Sequence, residues 1–177
     1  MKTIYTERFI LRKVTMEDVD NIYMILRDKL TVKYLNLPPI ENKKDVEKIV
    51  EDYLVENKKK TKYPFAVCEK TTNNLIGVFL IKLDLFDEDC FEFTIYLHRK
   101  YWNKGIYSEI LPIMTKFAFD EIGTGNFRGF VMKNNHASSK VLLNNNFKLE
   151  KIFTVDGLPE EIESYLMTKE DYIRCKL

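Results

Sequence analysis

An anion could be held where the strand Phe91-Glu92-Phe93-Thr94-Ile95-Tyr96-Leu97 passes through a short basic turn with one glycine, Gly105, into an amphipathic helix. The first backbone N–H groups of such a helix have no intrahelical acceptor and lie at its positive dipole end, the arrangement that holds a phosphate. Lys104 and Arg99 add positive charge nearby. One glycine opening a helix also fits an ordinary strand-to-helix connection. A second segment tips the balance: Asn134-Asn135-His136-Ala137-Ser138-Ser139-Lys140-Val141-Leu142-Leu143-Asn144-Asn145-Asn146-Phe147, behind the apolar run Phe130-Val131-Met132.

Together the two segments resemble the GNAT acetyltransferase superfamily, and within it the Rim-type branch of ribosomal-protein N-terminal acetyltransferases. The acyl-CoA motif of that branch commonly reads Tyr-Trp-Gly-Lys-Gly-Tyr-Ala-Thr-Glu. Tyr101 to Glu109 matches it at Tyr101, Trp102, Lys104, Gly105 and Glu109, and departs at Asn103 and Tyr107. The later motif, Asn-x-x-Ser and then eight residues to a Phe behind a glycine, is met by Asn135, Ser138 and Phe147, with Asn146 in place of the glycine. The opening Thr6-Glu7-Arg8-Phe9-Ile10-Leu11-Arg12, with Glu17 and Asp18 soon after, also looks like the first strand and helix entry of this branch. Three motifs in the correct order are far more specific than any one.

The resemblance implies a mixed α/β, GNAT-like acyl-CoA N-acyltransferase fold, a central twisted sheet flanked by helices. It also implies transfer of an acetyl group from the co-substrate acetyl-CoA directly to a primary amine, with no covalent enzyme intermediate and no metal. That reaction needs a donor for the thioester carbonyl, a base for the amine and an acid for the departing thiolate. Backbone N–H groups of Ile95, Tyr96 and Leu97 are the implied thioester and pantetheine contacts. Pyrophosphate is expected on the backbone of Asn103, Lys104, Gly105, Ile106, Tyr107 and Ser108. Asn135 matches the asparagine that contacts or places the pantetheine arm. Ser138 matches the position near the thioester sulfur, as proton donor or sulfur contact; a plain serine in a first helical turn is the alternative. Many relatives carry a tyrosine acid four residues later, where this chain has Leu142. Glu92 matches the glutamate of the strand motif Glu-Ile-Gly-Tyr, a general base that often works through water; an exposed strand glutamate paired with a lysine is the alternative. Phe91 and Phe93 project to the opposite face of that strand. His98 and Arg99 could line the cleft, although a lone histidine after a strand is usually structural.

The departures differ in weight. Asn146 stands where a left-handed backbone ends a helix, and asparagine is the best tolerated replacement for glycine there. Tyr107 replaces a small residue, so its side chain must point away from the ligand. Pro112 removes a backbone donor and should kink its helix or leave the carbonyl of Ser108 free.

The elements that must position these residues follow from the pattern. Phe9 to Arg12 reads as a strand; Thr15 caps a helix with Val19, Ile22, Tyr23 and Leu26 on its apolar face. Pro38-Pro39 marks a loop. A second helix from about Asn42 carries Val46, Ile49, Val50, Tyr53 and Leu54 and ends in the charged run Asn57 to Lys62, read as a solvated helix end. Phe65 to Cys68 and Leu75 to Ile81 form a hairpin around Thr71 to Asn74. The acidic stretch Asp84 to Asp89 makes the next turn. The strand Phe91 to Leu97 leads into the long helix with Ile110, Leu111, Met114, Phe117 and Ala118. Phe130 to Met132, a helix from about Ala137, Phe147 to Val155 and Ile162 to Met167 complete a mixed sheet, with Asp156-Gly157 turning between the last two strands.

At 177 residues the chain is expected to be a single acetyltransferase domain over 1–177, long enough to bury about 70% of its unfolded surface. Its 28 Lys plus Arg against 27 Asp plus Glu leave a net charge of +1, which gives no sign of a nucleic-acid partner. Cys68, Cys90 and Cys175 are widely spaced and odd in number, which reads as a reducing cytoplasm with Cys68 in the core. The N-terminus lacks a long apolar run behind a basic segment, and no run of eighteen apolar residues occurs, so secretion and a membrane partner are not expected. A homodimer is left open. The acceptor is open too. The loop from Leu30 to Ile40, with Tyr34, Leu35, Leu37 and two prolines, would form an aromatic, moderately apolar rim that suits a peptide N-terminus, an aminoglycoside, a polyamine or another small amine. A CoA-binding module with weak turnover is a third class, against which Glu92 and Ser138 argue.

Overall fold

The computed structural model describes residues 1–35, 38–158 and 160–176. The chain divides into two compact units, Met1–Lys82 with Thr94–Ile106, and Leu83–Phe93 with Tyr107–Leu177.

In the first unit, strands β1 (Ile4–Tyr5), β2 (Phe9–Lys13), β3 (Lys62–Glu69), β4 (Leu75–Leu83) and the second half of β5 (Cys90–Leu97) are hydrogen-bonded in that order. The first three pairings are antiparallel, with Leu11 opposite Val67 and Val67 opposite Gly77. Helices α1 (Val19–Leu26) and α3 (Lys43–Lys59) supply an aliphatic core with the sheet, including Ile22, Ile25, Val46, Val50, Ala66 and Val78. The helix expected from Thr15 begins as a 3-10 turn, Met16–Asp18, before α1. There the Asp18 carboxylate accepts the Thr15 N–H at 2.8 Å and two Arg12 bonds at 2.8 and 2.7 Å. The charged run does not stay helical to Lys62: Lys60 takes a left-handed φ of 62°, which stops α3, and Lys62 opens β3. Lys58, Lys59 and Lys60 are solvent-exposed, as expected. The short α2 (Lys29–Lys33) was not legible in the apolar spacing; Asp28 creates it by accepting the N–H groups of Leu30 and Thr31.

In the second unit the first half of β5 is followed across the sheet by β6 (Asn126–Met132), β8 (Ile162–Thr168) and β7 (Lys148–Phe153). β5 and β6 are parallel, from Cys90 opposite Asn126 to Phe93 opposite Gly129; the other two pairings are antiparallel. Parallel neighbours need a crossover, and α4 (Ile106–Lys116) provides it. The helix runs through the exposed Pro112 to Lys116 and then widens into a π turn, Phe117–Ile122, closed by Gly123 at φ 85°. Phe93, Phe119, Phe127 and Phe147 form a buried cluster with ring centroids 4.5 to 6.3 Å apart. Phe119 also stacks at 4.6 Å on Tyr172 of α6 (Lys169–Arg174), a helix the sequence reading lacked. Helix α5 (His136–Asn144) ends before Asn146, whose φ of 64° is the left-handed value expected of it. Gly157 turns at φ 85°, with Leu158 N–H donating to the Val155 carbonyl at 3.0 Å. Among the described residues no helix is long and apolar enough to cross a membrane.

Candidate active site

In the first unit, β5 is held beside β4 to its end, where the His98 N–H donates to the Ile76 carbonyl at 2.8 Å. Close approach requires Gly77: a Cβ there would lie 2.4 Å from the Tyr96 carbonyl oxygen. The next three residues, Arg99–Tyr101, make a 3-10 turn in which His98 Nδ1 accepts the Lys100 N–H at 3.3 Å. That bond makes His98 the N-cap of the turn. The Trp102 indole donates to the Leu97 carbonyl at 3.0 Å and so occupies it. Asn103 at φ 57° and Gly105 at φ 69° then flank Lys104 with two left-handed residues, and α4 begins. Asn103 is thus a mild departure from the motif glycine, since asparagine tolerates this backbone better than other side chains. Asn103, Lys104 and Gly105 are exposed and Ile106 is buried. Arg8 Nη1 donates to the Lys104 carbonyl at 3.0 Å, a contact across 96 residues that the opening motif Thr6 to Arg12 does not announce.

Ile95 and Leu97 are half-buried, whereas Tyr96 is buried with its hydroxyl 3.3 Å from that of Tyr53. Desolvation raises both phenols above their ordinary values, so both stay protonated and can only donate or accept hydrogen bonds. Leu30 and Tyr34 of the expected rim are exposed, Leu35 and Ile40 pack against the aliphatic core, and Leu37 lies outside the described residues. The Tyr34 ring meets Trp102 edge-on at 5.9 Å, which ties this rim to the residue before the turn. Arg99 is 3.8 Å from the Asp28 carboxylate.

In the second unit, Glu92 is half-buried on β5 and stands opposite Arg128 in the parallel ladder. Phe91 and Phe93 on either side of it are buried. Arg128 is clasped by Asp84 at 2.7 Å and by both oxygens of Glu150 at 3.2 Å, and Ser164 donates to Glu150 at 2.7 Å. Burial alone would raise the Glu150 carboxyl, but the bonds from Ser164 and Arg128 outweigh it and lower it. Burial pushes the neighbouring Cys90 thiol up to about 12 against the pull of Arg128, leaving it unreactive. Tyr107 is half-buried, with its phenol raised by desolvation, and Ser108 is exposed.

Asn135 is the N-cap of α5: its side-chain oxygen accepts the Ser138 N–H at 3.2 Å. Ser138 is half-buried in the first helical turn, and its hydroxyl has no hydrogen-bond partner among the described residues. Ser139 looks equivalent in the sequence but is committed elsewhere. Its hydroxyl donates to Glu163 at 2.8 Å, and Tyr165 donates to the same carboxylate oxygen at 2.7 Å. Leu142 is fully buried. Tertiary structure thus gathers Asn103, Lys104 and Gly105 at one turn with Arg8, and Asn135 with Ser138 at one helix start.

The family described as an acetyltransferase (GNAT) domain matches residues 8–148. A protein of Bacillus licheniformis named uncharacterized N-acetyltransferase p20 is 27% identical over 153 residues, covering 85% of this chain and 84% of that one. The solved RimL ribosomal L7/L12 α-N-protein acetyltransferase, in complex with coenzyme A, superposes with a TM-score of 0.82 at 17% identity, over 96% of this chain and 99% of that one. The spermidine N-acetyltransferase from Vibrio cholerae, in complex with CoA and spermine, gives a TM-score of 0.81 at 16% identity, over 93% and 98%.

Proposed function

This chain belongs to the GNAT acetyltransferase family, and from that premise we propose that it acts as one cytoplasmic domain carrying acetyl from acetyl-CoA to a protein N-terminal α-amine. The observation that carries the cofactor half is the turn with two left-handed residues, Asn103 and Gly105, running into α4. Backbone N–H groups from Asn103 to Ser108 would receive the pyrophosphate at the positive end of the helix. Ile95, Tyr96 and Leu97 would offer backbone groups to the thioester and pantetheine. Asn135, by capping α5, would set the helix start that presents Ser138.

The bound acetyl-CoA supplies an activated acyl group. The amine nitrogen would attack the thioester carbonyl, forming the N–C bond as the C–S bond breaks. Glu92 would take the amine proton, directly or through water, and the Ser138 hydroxyl, without a hydrogen-bond partner among the described residues, would contact the departing sulfur or donate a proton to it. An α-amine, with a pKa of about 8 against about 10.4 for a lysine amine, asks less of a carboxylate base. The exposed, apolar Leu30 and Tyr34 supply a surface on which a peptide can lie. A polyamine or another small amine is the second reading, favoured by the likeness to a spermidine N-acetyltransferase.

Calorimetric titration with acetyl-CoA, followed by thiol-release assays against N-terminal peptides, polyamines and aminoglycosides, tests both halves. Turnover of the peptides supports the proposal, turnover of polyamines alone transfers it to the second reading, and no acetyl-CoA binding removes it. Glu92→Gln is expected to bind acetyl-CoA normally and to lose about 10²- to 10⁴-fold in kcat; unchanged kcat would take the base role from Glu92.

A further inference from the structure

The segment Thr6-Glu7-Arg8-Phe9 leads into β2, which begins at Phe9, and the reaction as described makes no use of it. Its backbone is fixed from both sides. Thr6 N–H donates to the Phe9 carbonyl at 2.9 Å, Phe9 N–H donates to the Thr6 hydroxyl at 2.9 Å, and Lys70 N–H donates to the Arg8 carbonyl at 2.9 Å. Arg8 therefore projects from a rigid base. Its guanidinium lies over the Phe9 ring at 5.0 Å, donates to the Lys104 carbonyl at 3.0 Å, and has Nη2 3.7 Å from where a Gly105 Cβ would stand.

A cradle of backbone N–H groups binds an anion only if its carbonyl oxygens are turned aside, because each carries partial negative charge. The carbonyl most at risk here is that of Lys104, between the two left-handed residues. Arg8 holds that oxygen with a charge-assisted bond, which a neutral donor would match only in part. An open depression of about 400 Å³ lies along the same residues, lined by Arg8, Lys70, Tyr101 and Lys104 and also by the carboxylates Glu7 and Glu69.

We propose that Arg8 is a positioning residue for the cofactor turn: it holds the Lys104 carbonyl in the orientation that leaves the turn's N–H groups facing the phosphates, and it adds a positive charge beside them. This rests on the reading of that turn as the pyrophosphate site.

Arg8→Met keeps the apolar stem over Phe9 and removes the donor, while Arg8→Lys keeps the charge and one donor. The kinetics of both are compared with acetyl-CoA and with S-acetyl-pantetheine, which has the thioester and the pantetheine arm but no pyrophosphate. Arg8→Met is expected to raise the KM and Kd for acetyl-CoA about tenfold or more at nearly unchanged kcat. It should leave kcat/KM for S-acetyl-pantetheine unchanged, and Arg8→Lys should recover part of the loss. Equal acetyl-CoA affinity in wild type and Arg8→Met would overturn the inference, as would an equal loss with both thioesters, which is the mark of a general structural role. Failure of the wild type itself to bind acetyl-CoA would overturn the cofactor reading instead, and this inference with it.

Discussion

The first unit buries aliphatic side chains from α1, α3 and the sheet, with one hydroxyl contact, Tyr53 to Tyr96, as a polar feature of that core. The second unit packs an aromatic cluster around Phe127 and Phe93 on one face of its sheet. Residues next in sequence point to opposite faces, so the other face carries Arg128, at 12% side-chain exposure, with Asp84 at 6% and Glu150 at 28%. Paired strand residues share a face, which puts Glu92 on that charged side. Apolar burial is roughly proportional to area and tolerates exchange of one hydrophobe for another. A buried ion network has no such tolerance, since a lost partner leaves the others desolvated and unpaired. The proposed base therefore stands in the unit that carries the Arg128 network, and the proposed phosphate turn starts in the unit with the aliphatic core.

The comparison breaks most readily at Arg128. Replacing it by Met should cost about 3–5 kcal/mol in urea unfolding, because Asp84, at 6% side-chain exposure, loses its cation while still buried; a loss near zero would show that the network is solvated. Gly77→Ala tests shape in the first unit. Its Cβ would meet the Tyr96 carbonyl at 2.4 Å, a backbone atom that cannot swing aside. A cost of about 1–3 kcal/mol should come with weaker acetyl-CoA binding, as Tyr96 and Leu97 shift; unchanged affinity would separate that backbone from the cofactor. The smallest effect is expected at Asp28, whose carboxyl is held below its ordinary value of 3.8 chiefly by the Thr31 N–H, despite burial and with help from Arg99. A depressed folded pKa gives stability that is present above the unfolded value and is lost as pH falls through the folded one. Asp28→Ala should therefore cost about 1 kcal/mol at pH 7, and progressively less as pH falls from about 4 through the lowered folded value, below which the wild-type cap is itself protonated. A cost independent of pH would mean that the carboxylate charge is not what caps α2.

Much of the fold was legible because period and punctuation suffice for it. Alternation gave β5, the 3.6-residue spacing gave α1 and α3, and Asn146 and Gly157 marked left-handed turns that the backbone adopts. The misses share a cause. α2 and α6 are too short to show a period and depend on caps, Asp28 for one and Thr168 for the other. Lys60 stops α3 two residues before the end of the charged run by a backbone twist that lysine side chains do not announce. Ser138 and Ser139 cannot be told apart as residue types, and only the reach of Glu163 to Ser139 separates them.

By itself the sequence determined the family, the order of the longer elements, the turn around Gly105 and the candidates Glu92 and Ser138, since these depend on residue type at short spacing along one chain. Tertiary structure alone decided which groups are already occupied by partners. It gave Arg8 to the carbonyl of Lys104, 96 residues away. It gave Arg128 to Asp84, 44 residues away, and left the hydroxyl of Ser138 without a partner among the described residues. Such pairings depend on three-dimensional distance between side chains, which local residue spacing does not encode.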